Sequence, residues 1–232
     1  MANPNLELLT AIANAMGTLR EQVVFVGGCA TGLLITQPLV ADVRATEDVD
    51  AIVEVATLVG YHVLARQLME LGFKQTMADN TPPFRWFWHG MQLDLVPLDE
   101  KVLGFANRWY RPAFGVAQTA TLPSGLRLRH LSSPYFMATK LEAFRDRGNN
   151  DVYLSHDLED IITVVDGREE LLLELHSAPA DVCTFVTTAI QGILQNPIFS
   201  NVLPGIVSQS NRSGIVLSRL TQIANIQIQG NS

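Results

Sequence analysis

Three aspartates in apolar surroundings are the residues of this chain best placed to do chemistry. Asp48 and Asp50 stand two apart in Asp48-Val-Asp50-Ala-Ile-Val. If that segment is a strand, both carboxylates leave the same face, and like charges so placed repel unless a cation lies between them. Asp94 stands between Leu93 and Leu95 in a second apolar segment. Set beside the Asp48/Asp50 strand, it completes a cluster of hard oxygen donors suited to one or two Mg²⁺ (or Mn²⁺) ions against a triphosphate. Upstream, the apolar run Val23-Val-Phe-Val26 ends in Gly27-Gly28. Without Cβ atoms these glycines let backbone N–H groups come close to a ligand, and a helix over Cys29 to Ile35 then offers its N-terminus to an anion. Each piece has an ordinary use as well: Gly-Gly makes turns, and Asp-x-Asp decorates solvated strands.

A strand ending in Gly-Gly, a downstream Asp-x-Asp flanked by apolar residues, and a later lone acid in an apolar strand resemble the nucleotidyltransferase fold of the DNA polymerase β superfamily. Gly27-Gly28-Cys29-Ala30 together with Arg44-x-Thr46-x-Asp48-x-Asp50 is similar to the AbiEii/AbiGii toxin branch. The resemblance implies an α/β (α+β) fold, a mixed sheet flanked by helices with a C-terminal helical region, divided into a core at 1–130 and helices at 131–232. It implies transfer of an NMP from an NTP to an acceptor, RNA or protein, with release of pyrophosphate. Asp48, Asp50 and Asp94 then hold the metal, with Gly27, Gly28, Thr31, Arg44 and Thr46 near the nucleotide. Lys140 and, on the following helix, Asp157 and Asp160 match the family's lysine and Asp-x-x-Asp positions beside the nucleotide. By charge, Lys140 neutralises triphosphate oxygens as a mobile point cation. Asp157 orients Lys140, serves as a base for the acceptor, or is an acid favoured by a helix N-terminus. The chain departs from the pattern in having no hydroxyl after Gly28 until Thr31. A toxin-like protein implies an antitoxin partner, and a homodimer is a further expectation. Two alternatives stay open: a small-molecule transferase of the antibiotic-modifying kind, and a nucleotide- or partner-binding module without turnover.

The elements that must position these residues are legible as patterns. Asn5 to Met16 carries Leu6, Leu9, Ile12, Ala13 and Met16 at helical spacing, and Thr57 to Leu71 reads as a second helix ended by Gly72. Phe84 to His89 and Met91 to Pro97 read as strands around a His89-Gly90 turn, with Phe84, Trp86 and Trp88 on one face and Arg85, Phe87 and His89 on the other. Residues 98–119, with Phe105, Trp109 and Tyr110, read as an irregular excursion, and 120–130 as a hairpin. Ser132-Ser133-Pro134 starts a helix running to about Arg147, followed by helices at 154–165, 168–176, 179–195 and 208–228, the last two set off by Pro197 and by Pro204-Gly205.

At 232 residues, 47% hydrophobic and 17% charged, the chain can bury a core, and disorder is excluded. The net charge of −7 argues against nucleic-acid binding over the whole surface. Basic residues concentrate between Arg127 and Arg147, a patch for an RNA end or a solvated helix face. Cys29 and Cys183 make no disulfide framework, and with no secretory leader a reduced, cytoplasmic protein is expected. The longest apolar run is too short for a membrane span.

Overall fold

The computed structural model describes residues 4–37, 43–76, 81–104 and 106–227. The chain forms two compact units, one of residues 1–33 with 45–132 and one of 34–44 with 133–232, and so passes between them three times. The fold is mixed α+β, with helices flanking a six-stranded sheet and an all-helical C-terminal region.

In the first unit, helix α1 (Pro4–Ala15) buries Leu9, Ile12 and Ala13 at the expected spacing. Strand β1 (Val23–Val26) is buried at every residue, hence its unbroken apolar sequence. It turns at once into α2 (Gly27–Leu34), two residues earlier than the sequence suggests, because Gly27 takes a left-handed φ of +71°. Strand β2 (Asp48–Val53) follows, then α3 (Leu58–Glu70). The Thr57 hydroxyl caps α3 by accepting from the Gly60 N–H. At its other end Gly72, at φ +90°, and Phe73 donate to the Met69 and Leu68 carbonyls, closing the helix in a Schellman motif.

Strands β3 (Arg85–Trp88) and β4 (Met91–Pro97) form the expected hairpin, with His89 and Gly90 both at positive φ as a type I′ turn requires. Residues 98–119 are more regular than expected, holding α4 (Glu100–Leu103), α5 (Tyr110–Gly115) and the start of β5 (Gln118–Thr121). Helices of four and six residues are too short to show a period. Phe105 lies outside the described residues. Strand β6 (Arg127–His130) completes the sheet, in the order β3-β4-β2-β1-β6-β5. The β1/β6 and β2/β4 pairs are parallel and the others antiparallel.

Alternation along β2 and β4 separates two chemistries. Val49, Ala51, Val53, Leu93 and Leu95 join α1, α3 and Trp86 in the core, while Asp48, Asp50, Gln92 and Asp94 belong to the opposite face. One register line crosses four strands through Arg85, Asp94, Asp50 and Val26. The Tyr61 hydroxyl, pushed up to about 12 by burial, remains a neutral donor and braces α3 on the Leu95 carbonyl.

The second unit comprises α6 (Ser133–Asp146), α7 (His156–Gly167), α8 (Leu171–His176), α9 (Ala180–Gln195), α10 (Phe199–Ile206) and α11 (Ser213–Ala224). Helix α6 packs on α7 and α9, and α11 on α9 and α7. Pro204-Gly205, expected to separate two helices, lies inside α10. Phe199 and Leu203 are buried one turn apart there, and in so short a helix the proline forfeits a single backbone bond. The expected end of the last helix, Ile228, lies outside the described residues. Thr36 and Gln37 donate to the Gly167 carbonyl at 3.0 and 2.9 Å, and Arg168 donates to that of Leu34, fastening the early segment to this unit. No described helix is long and apolar enough to cross a membrane.

Candidate metal centre

Asp48, Asp50 and Asp94 come together as their strand positions require. Asp50 pairs with Asp94 across the parallel β2/β4 ladder, and Asp48 with Gln92. Each aspartate offers one carboxylate oxygen, and the three oxygens lie within 4.8 Å of one another. Hard, anionic oxygen donors at this spacing suit a divalent cation.

Each member of the triad is held differently. Thr46 donates its hydroxyl to Asp48 Oδ1 at 2.5 Å, and its own N–H donates to Oδ1 of Asn5, a fully buried residue of α1. Asp50 lies against Gly27. A Cβ on that glycine would stand 1.9 Å from Asp50 Oδ2, so the absent side chain makes the space the carboxylate occupies. The anion beside the first residue of α2 is therefore a side chain of the protein itself, in a position the helix dipole favours.

Asp94, 6% exposed, is gripped by Arg85 of β3, whose Nε and Nη2 donate to its two oxygens at 2.9 and 2.7 Å. That hydrogen-bonded pair, supported by the charges of Asp48 and Asp50, outweighs burial and raises the Arg85 pKa. Gln92 completes the group: with its amide oxygen turned to the guanidinium it accepts from both nitrogens at 3.1 Å. Gly28 and Thr31 are buried in α2, Thr31 completely, which puts its hydroxyl out of reach of a solvent-borne ligand in this conformation.

The remaining residues singled out in the sequence gather in the second unit. Lys140 Nζ lies 3.0 Å from Asp157 Oδ1 and 2.6 Å from Asp160 Oδ2, all three side chains nearly buried. Burial alone would lower the lysine's pKa, but the two carboxylates outweigh it and raise it. The expectation of a mobile point cation is thus corrected: Lys140 is pinned, because two acids one helix away leave it little freedom. Arg147 adds a fork to Asp157, donating from Nε and Nη2 at 3.1 and 3.0 Å. Burial pushes the Asp157 carboxyl up, yet Lys140 and Arg147 together hold it below the usual range. A carboxylate so stabilised in its charged form is poorly suited to take a proton at neutral pH. Arg44 reaches Glu159 at 3.4 Å and Asp160 at 3.9 Å, so Arg44 and Thr46, two residues apart, belong to different units.

Sequence reasoning passed over Gln92, Asn5 and Glu159, gave Arg85 a strand face but no role, and put Arg147 in the basic patch rather than beside Asp157. For Arg85 the signal was present. A two-residue turn at His89-Gly90 pairs Trp88 with Met91, and the ladder then sets Arg85 opposite Asp94. Asn5 carried none, being a polar residue on an apolar stripe. No protein-family model matches the chain, and no curated protein matches it.

Proposed function

We propose that this chain is a metal-dependent nucleotidyltransferase that moves an NMP from an NTP to an acceptor and releases pyrophosphate, with Mg²⁺ or Mn²⁺ held by Asp48, Asp50 and Asp94. The observation that carries the reading is the triad itself: three carboxylate oxygens within 4.8 Å on adjacent parallel strands. The glycine-opened start of α2 lies directly against one of them. When bound, the ion supplies neutralisation of triphosphate charge and a lowered pKa for the acceptor hydroxyl.

The chain's own residues supply orientation. Thr46 fixes one oxygen of Asp48 and leaves the other for ligation. Gly27 leaves room for Asp50. Asp94 is expected to serve the acceptor side more than the triphosphate. In the second unit, Asp157 is assigned to positioning Lys140 rather than to proton transfer. The similarity to the AbiEii/AbiGii branch favours a macromolecular acceptor, RNA or protein, and with it a toxin-like role opposed by an antitoxin.

Incubating the purified chain with each α-labelled NTP, Mg²⁺ or Mn²⁺ and total RNA, then protein extract, tests the reading. Label should pass to one acceptor class and vanish in Asp48→Asn. Folded wild-type protein that transfers label from none of the four NTPs would refute it. The Arg85–Asp94 ion pair favours a second reading, a binding module whose third acid is already neutralised. Such a protein would bind NTP in the same preparation without releasing pyrophosphate.

A further inference from the structure

We propose that Arg85 is the resident cation of the aspartate triad and that a divalent ion binds in exchange for it. The proposal rests on the metal reading of Asp48, Asp50 and Asp94. A face bearing three carboxylates within 4.8 Å of one another repels itself when no cation is present. The guanidinium fork on both oxygens of Asp94 relieves that repulsion. It also sets a positive charge in contact with the space a dication must enter, and the two cations cannot both occupy it without mutual repulsion.

The geometry allows the arginine to yield rather than the aspartate. The Asp94 side chain is 8% exposed and sits in the sheet beside Asp50, whereas that of Arg85 is 30% exposed on the outermost strand. Arg85 can swing toward solvent about its own flexible stem without uncovering Trp86 and the core cluster it joins, which lie on the opposite face of the sheet. Gln92, within 3.1 Å of both guanidinium nitrogens, is the hinge partner released in the same movement. Exchange of a monovalent for a divalent cation keeps the empty site stable and makes its affinity for metal a balance between two charges. Arg85 is a positioning residue here, acting through Asp94.

The test is Mn²⁺ titration of the full chain followed by the free-ion EPR signal, comparing wild type, Arg85→Gln, Arg85→Lys and Asp48→Asn. Arg85→Gln is expected to bind Mn²⁺ on the order of tenfold tighter or more, since a unit charge in contact with the ion is gone. Arg85→Lys, which keeps the charge but loses the fork, is expected to gain less. Without metal the Gln variant should melt below wild type, and saturating Mn²⁺ should raise its melting temperature by more. A merely structural arginine also lowers the metal-free melting temperature but predicts weaker, not tighter, Mn²⁺ binding, because loosening the site can only weaken the metal. If Asp48→Asn abolishes binding but Arg85→Gln binds no tighter than wild type, the exchange is overturned while the metal reading stands. Should Arg85→Gln fail to fold by circular dichroism, Arg85→Lys decides in its place, and affinity equal to or below wild type overturns the proposal. If wild type and variants all ignore millimolar Mn²⁺, the metal reading falls and the exchange with it.

Discussion

Replacing Lys140 with methionine should unfold the second unit at markedly lower temperature, and the size of the effect follows from its neighbours. The substitution removes the ammonium that lies 3.0 Å from Asp157 and 2.6 Å from Asp160 while keeping most of the side-chain volume. Breaking a buried ion pair by deleting one partner costs about 3 to 5 kcal/mol. The lower end applies here, about 3 kcal/mol, because Asp157 keeps its Arg147 fork and Asp160 keeps Arg44 at 3.9 Å. For a unit of this size that corresponds to a fall of roughly 10 °C or more in the midpoint. Far-ultraviolet circular dichroism is the appropriate probe, since α6 to α11 lie in this unit and all three tryptophans lie in the other.

The pH dependence supplies an independent check. The Lys140 pKa is raised, so its contribution is complete below the unfolded value of about 10.4 and is lost only as pH rises through the higher folded value. The Asp157 pKa is lowered, so its contribution is complete above about 3.9 and is lost as pH falls through the lower folded value. Wild type therefore draws a constant contribution from the cluster between about pH 5 and 9. The deficit of the methionine variant is therefore best read inside that window, where neither limb has begun. A deficit under about 1 kcal/mol would show that the cluster is solvated rather than buried.

Asp48→Asn and Asp50→Asn should each lower nucleotidyl transfer by a hundredfold or more while leaving the melting temperature unchanged or slightly higher, because one of three crowded charges is removed; wild-type turnover in either would end the metal assignment. Gly27→Ala should cost about 1 to 3 kcal/mol, combining a left-handed φ with a Cβ 1.9 Å from Asp50 Oδ2. Most of the clash component should disappear when the substitution is made on an Asp50→Ala background, and a purely additive double-mutant cycle would contradict the geometry. Asp94→Asn should reduce single-turnover rate more than calorimetric NTP affinity, and equal losses would move Asp94 to the triphosphate side.

The strand–glycine–helix passage at Val23–Leu34, the Asp48–Val53 strand and the Arg85–Pro97 hairpin were legible because strand alternation and turn chemistry are local. From them the triad follows once β2 and β4 are neighbours, which short apolar strands suggest but cannot dictate. The Lys140 cluster was less legible. Charge alone left the lysine free, and its pairing depends on which faces of α6 and α7 meet, a matter set by the loop of residues 147–155. Thr31 was named through the family resemblance, and its complete burial depends on how α2 packs, which the local sequence does not state. The short helices α4 and α5 carry no period. Nothing local marks residues 34–44 as part of the second unit, since their partners lie more than a hundred residues away.

That last arrangement sets an order of events during synthesis. The residue that accepts from Thr36 and Gln37, Gly167, is 131 positions beyond Thr36. At about 5 to 20 residues per second, a ribosome delivers it roughly 6 to 26 seconds after the segment that needs it. Through that interval β1 and β2 can already pair with each other, while Thr36 and Gln37 wait for their acceptor. A fragment of residues 133–232 would therefore lack the strap residues Leu34, Thr36, Gln37 and Arg44 that Arg168, Gly167, Glu159 and Asp160 hold. A fragment ending at residue 132 would carry that strap with nothing to fasten it.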